Sequence, residues 1–221
     1  MHKTRMAEPA GAIPAQARRL RMVAQLSIIK GENMFIRFVA GTLLATAIAA
    51  PALAQSDIEG YLCCNMRTDG KWISDINYAG SGLRVIPLGT PVKATGYGRY
   101  RVHVDIDGSR QAIGNDYSRD IDLPAFARRY IVPEDPRVRM AGFPSRIRQA
   151  IESARVTRGM TREQAFMAVG YPVSSENPEL NANVLRFWRD SFSEFQLVFD
   201  EEDKVKDIVA EPTLLNLVVL D

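Results

Sequence analysis

Gly159-Met160-Thr161-Arg162-Glu163-Gln164-Ala165-Phe166-Met167-Ala168-Val169-Gly170-Tyr171-Pro172 reads as one helix with both ends written into it. Thr161 and Gln164 have the spacing of a capping box, in which each side chain covers the other residue's backbone N–H. Ala165, Phe166, Ala168 and Val169 supply the packing face. Gly170 is expected to end the helix in a left-handed cap that only glycine adopts cheaply, and Tyr171-Pro172 enforces the stop. Upstream, Pro144-Ser145 opens a second helix with Ile147, Ala150, Ile151 and Ala154 on one side, and Arg155 to Gly159 turns between the two. Downstream of a polar loop, Ser174 to Asn183, three runs read as strands: Val184-Leu185-Arg186-Phe187-Trp188, Glu194-Phe195-Gln196-Leu197-Val198-Phe199 and Val205-Lys206-Asp207-Ile208-Val209. Asp200-Glu201-Glu202-Asp203 turns the last pair. Helix, helix and a three-stranded antiparallel meander predict a two-layer α+β domain over residues 144–213.

Before it lies a small β-rich N-terminal region, residues 56–132, with a terminal helix. Leu83 to Leu88 and Pro91 to Thr95 read as strands, with Gly96-Tyr97-Gly98 as a turn. Tyr100, Val102, Val104 and Ile106 alternate onto one face, and Asp107-Gly108 makes a tight hairpin turn because both positions need φ > 0. Gln111 through Tyr117 returns as the next strand. Asp122 caps a helix from Leu123 to Val132 whose stripe is Leu123, Phe126, Ala127, Tyr130 and Ile131. The prolines of 133–143 mark a linker. The tail, 214–221, is apolar and β-prone, and is expected to add a strand or offer an edge to a partner.

Residues 34–54 have the layout of a secretory signal peptide: a short basic head at Arg37, an apolar run from Phe38 to Ala50, then Pro51 and Ala52-Leu53-Ala54. The run is shorter than the roughly 20 residues a bilayer span needs, so a cleaved signal is expected, leaving no transmembrane span. Residues 1–33 then read as a mis-called upstream extension, with Met34 the start; Lys30-Gly31-Glu32 can be encoded by the purine-rich bases of a bacterial ribosome-binding site. The whole chain carries 28 Lys and Arg against 26 Asp and Glu, but seven of those basic residues and two of the acidic ones precede Gln55. The exported part therefore carries a net charge of about −3, which argues against a nucleic-acid partner.

Both cysteines, Cys63 and Cys64, lie in the exported part and are adjacent. In an oxidising periplasm they are expected to pair, through a strained and hence reducible eight-membered ring, as a structural or incidental disulfide. The alternative is thiol-redox or metal chemistry joined by Met66 and His103, against which stand the lack of a Cys-x-x-Cys, a second histidine or a carboxylate cluster at ligand spacing. Gly60-Tyr61-Leu62 before Cys63 is not a lipobox. Other motifs carry no chemistry. Gly96-Tyr97-Gly98 lacks a phosphate cradle's third glycine, and Arg110 stands where an EF-hand loop starting at Asp105 requires glycine. His103 reads as an exposed strand residue, no serine has a triad setting, and Arg99, Arg101, Arg119, Arg128 and Arg129 read as a solvated basic face.

The Gly159–Ala165 and Val169–Pro172 motifs, followed by Arg186-Phe187-Trp188 and the Phe195–Phe199 strand, resemble the SmpA/OmlA (BamE-like) family, small lipoproteins of the outer-membrane β-barrel assembly machine. The likeness covers about residues 150–212. It implies a non-enzymatic, periplasmic protein-interaction module, accessory to outer-membrane and cell-envelope assembly, with no cofactor and an envelope or outer-membrane protein as partner. The same helix–helix–sheet unit resembles beta-lactamase-inhibitor proteins, which also act by binding. The chain departs from the family in lacking a lipobox and in carrying residues 56–132, which are loosely similar to bacterial SH3-like domains. Phe187 and Trp188 are the partner-binding candidates: alternation sends them to opposite faces, so one of them is left on the sheet's open side. The rival readings are a thiol-redox or metal-handling protein using Cys63 and Cys64, and a periplasmic inhibitor or cell-wall binder.

Overall fold

The alternation and turn chemistry of the first half place most of its apolar residues on one face of a bent sheet. The computed structural model describes residues 58–221, so the signal peptide and upstream extension lie outside the described residues. Strands β1 (Glu59–Leu62), β2 (Met66–Thr68), β3 (Trp72–Ser74), β4 (Arg84–Ile86), β5 (Pro91–Gly98), β6 (Arg101–Ile106) and β7 (Ser109–Gly114) precede helix α1 (Leu123–Tyr130) and the short β8 (Ile131–Val132). Six of them form a sheet in the order β3-β7-β6-β5-β1-β8, while β2 and β4 pair as a separate ribbon. The pairings are antiparallel except β3 with β7.

Asp107 and Gly108 do take positive φ, 51° and 77°, as the hairpin requires. Two local expectations are corrected. Gly96-Tyr97-Gly98 is not a turn: β5 runs through it with a register shift between Ala94 and Gly96, a bulge that lets a long strand bend. The turn falls instead at Arg99-Tyr100. Tyr100, with φ 56°, is therefore exposed at the hairpin tip, while Val102, Val104 and Ile106 are buried as expected. Asp122 caps α1 by accepting the N–H of Ala125, and Phe126, Ala127 and Tyr130 bury against the strand residues.

The stretch 133–143 contains a short helix, α2 (Pro136–Met140), capped by Asp135. Helices α3 (Ser145–Glu152) and α4 (Arg162–Val169) follow, and the Thr161–Gln164 capping box is formed in both directions. Gly170 has positive φ, 86°, but with ψ 177°. It is thus extended rather than helical, in a region essentially closed to other residues. Strands β9 (Val184–Asp190), β10 (Ser193–Phe199) and β11 (Val205–Val209) form an antiparallel sheet in the order β11-β10-β9. The architecture is mixed α+β.

The tail overturns its expectation. Residues Pro212–Val218 form helix α5, with Leu214 and Val218 buried. Their spacing of four puts both on one helical face, and Pro212 suits a first turn that needs no N–H donor.

Two apolar cores result. One lies between the six-stranded sheet and α1; the other is built from α3, α4, α5 and the inner face of β9–β11. Leu88, which follows β4, packs in the second core, and Tyr171 packs against both. The described residues accordingly belong to one compact unit, despite the prolines between the halves.

Candidate functional site

The segment Cys63-Cys64-Asn65-Met66 leaves β1 and enters the seam between the two cores. Its backbone is shared: the Cys63 N–H donates to the Tyr130 carbonyl and the Asn65 N–H to that of Met167. The Asn65 amide donates to the carbonyls of Ile151 at 2.6 Å and Ala168 at 3.1 Å, and its oxygen accepts the N–H of Leu88. One asparagine thus ties the ends of α3 and α4 together: it is the donor to the Ala168 carbonyl, a last-turn group the helix leaves open, and shares the Ile151 carbonyl with the Ala154 N–H. Asn77 repeats the pattern, donating to the carbonyls of Asn65 and Val169 and accepting the N–H of Arg67. Nothing in the local sequence distinguishes these two asparagines from turn residues.

Cys63 and Cys64 are joined in a disulfide, and both are buried. They line a small cavity, with about 50 Å³ open to water-sized groups, together with Phe166, Met167, Tyr171 and the Arg139–Glu163 ion pair. The Cys64 sulfur lies 3.9 Å from that of Met66. His103 does not join them: it is exposed on β6, while its neighbours Val102 and Val104 pack into the core that holds Cys64 and Met66. Among the described residues no group of three or more His, Cys, Asp or Glu could hold a metal ion.

A second polar seam joins the halves beyond β3. Asp75 is fully buried and accepts the N–H groups of Asp116 and Tyr117. Burial outweighs those hydrogen bonds and pushes its carboxyl up to about 6. Nearby, Ser118 accepts the N–H of Ser174, whose hydroxyl donates to Asp120.

On the three-stranded sheet the aromatics separate. Phe187 is buried, stacked on Phe195 at 5.3 Å between centroids. Trp188 is half-buried on the opposite face, its indole N–H donating to Glu176 at 2.8 Å. Arg186 on the same face pairs with Glu176 and Glu194. The residue that the sequence reading passed over is Phe192, which is 95% exposed in the β9–β10 turn. It sits at a tip because Asp190 accepts its backbone N–H. An aromatic between Ser191 and Ser193, outside any alternating run, was the available signal.

Four of the five arginines lie over aromatic rings. Arg99 and Arg119 stack on Tyr100 at 5.3 and 4.6 Å, Arg101 lies over Trp72, and Arg129 lies over Tyr171 at the seam. Among the described residues no helix is long and apolar enough to cross a membrane. No family model matches the chain, and no curated protein or solved structure matches it significantly.

Proposed function

We propose that the chain is a non-enzymatic, periplasmic protein-interaction module, accessory to outer-membrane and cell-envelope assembly. In this reading α3, α4 and β9–β11 are a BamE-like two-layer domain, and residues 56–132 are an SH3-like region fused ahead of it. The observation that carries it is Phe192, left 95% exposed at the hairpin tip two residues past half-buried Asp190 and close in sequence to Trp188. A large aromatic held in water by a rigid turn is favourable once a partner covers it, and aromatic anchors dominate interface energies. The test is photo-crosslinking from positions 188 and 192 in intact envelopes. Members of the barrel-assembly machine should be recovered. Recovery of cell-wall fragments in their place would refute the reading and favour the wall-binder.

A second reading, thiol-redox or metal handling, is favoured by one observation: the Cys63–Cys64 disulfide faces a cavity rather than solid core. It expects both thiols to become titratable after mild reduction of the folded protein. Thiols that stay unreactive before and after reduction would eliminate it.

A further inference from the structure

Where β2, the Ile76–Ala79 loop and the end of β9 meet, a cavity of about 360 Å³, counted out to its mouth, is lined by Arg67 and Arg189. Its floor is apolar, with Phe187, Phe195 and Val218, and Trp188 stands at the same cavity. The two guanidiniums are half-buried and carry like charge into one space. Burial, then the proximity of Arg189, holds the Arg67 guanidinium below its ordinary value. No carboxylate lines the cavity, and among the described residues neither arginine has an ion pair within salt-bridge distance. Arg67 makes one side-chain hydrogen bond, to the Asn77 carbonyl at 3.3 Å. Asp190, next in sequence, feels the Arg189 charge but forms no ion pair with it and is engaged first by the N–H of Phe192, and Glu176 is engaged by Trp188 and Arg186.

Two convergent arginines are costly without a counter-charge, and a guanidinium fork matches a carboxylate bidentately. Space inside is small: about 20 Å³ is open to water-sized groups, little more than one water needs. That admits a head group pushed in from outside and excludes an engulfed small molecule, whose sites run to roughly 300–1,000 Å³.

We propose that Arg67 and Arg189 form a carboxylate-binding notch that receives an acidic side chain or the C-terminal carboxylate of the protein partner. The proposal rests on the docking reading, since the notch shares Trp188 with the face assigned to the partner, and it specifies what that partner must present. The test uses the full chain, isotopically labelled, with the indole N–H signal of Trp188 as reporter, assigned through Trp188→Phe. Three capped peptides are titrated at constant ionic strength: one with an internal Glu and an amidated end, its Gln counterpart, and the Gln peptide with a free C-terminal carboxylate. A saturable shift is expected with one or both carboxylate peptides and not with the amidated Gln peptide. The peptide that binds identifies the source of the carboxylate. Arg189→Gln should weaken binding about tenfold or more, and Arg67→Lys, which keeps the charge but loses the fork, should weaken it less. Equal shifts from all three peptides, no shift from any, or an unchanged affinity in Arg189→Gln would overturn the notch. Those outcomes leave the docking reading to its own test, because crosslinking from Phe192 does not require the notch.

Discussion

Asn65 shows how much tertiary structure one short polar side chain can organise. Its amide donates to last-turn carbonyls of α3 and α4 while its oxygen takes the Leu88 N–H. Removing it leaves the Ala168 carbonyl and the Leu88 N–H without partners, each worth about 1–3 kcal/mol, and takes one of two donors from the Ile151 carbonyl. Asn65→Ala should therefore lose about 2 kcal/mol or more in urea unfolding. Asn65→Asp should lose more still, since it replaces the donor by a charge facing two carbonyl oxygens. An aspartate variant as stable as wild type would show that the amide is not donating there. Arg162 is a similar case: 9% exposed, it reaches the carbonyls of Leu180 and Ala182 and the carboxylate of Asp203. From the sequence it reads only as a charged residue in a helix's first turn. Its role depends on a loop about twenty residues downstream folding back over Phe199, whose ring it covers at 3.9 Å.

Among the elements, the β9–β10 pair separates packing from surface. Phe187 and Trp188 are adjacent, so the pleat sends them to opposite faces. Phe187→Ala should cost about 3–5 kcal/mol by emptying a core position, whereas Trp188→Ala should cost about 1 kcal/mol or less, having chiefly one exposed hydrogen bond to lose. Chemical denaturation of both variants checks this; similar losses would mean that Trp188 is a structural residue. Helices α3 and α4, the capping box and the three-strand meander were all legible, because caps, turns and periodicity are local signals. Helix α5 was not. Its apolar run of Leu and Val has no alternation or helical period clear enough to decide between strand and helix, and packing against the second core, with Leu214 and Val218 buried, decides it.

For the molecule as a whole, the seam between the halves gives stability a pH dependence of unusual sign. Asp75 is pushed up to about 6 in the fold, above the roughly 3.9 of an unfolded chain. The folded state thus holds a proton that the unfolded state has already released. Its contribution is fully present below about pH 4 and is lost as pH rises through about 6, amounting to about 3 kcal/mol. Asp135, Asp190 and Asp207, held low by hydrogen bonds, act in the opposite sense. The readout is therefore the difference between wild type and Asp75→Asn. Between pH 4 and 7 the wild type should lose stability relative to the variant, and parallel stability curves would contradict the assignment.

Local physics settles most elements of this chain, with α5 the exception. A helix with a reciprocal cap, a positive-φ hairpin turn and an alternating strand each need only neighbouring residues, so each can be read in order along the chain. Which of two adjacent aromatics is buried, where the halves lock together and which charges are left facing each other depend on groups far apart in sequence. Asn65 meets Ala168, and Arg67 meets Arg189, only once the cores are assembled. Burial then assigns a cost to every unpaired group, and that cost turns two unremarkable arginines into the proposed carboxylate notch.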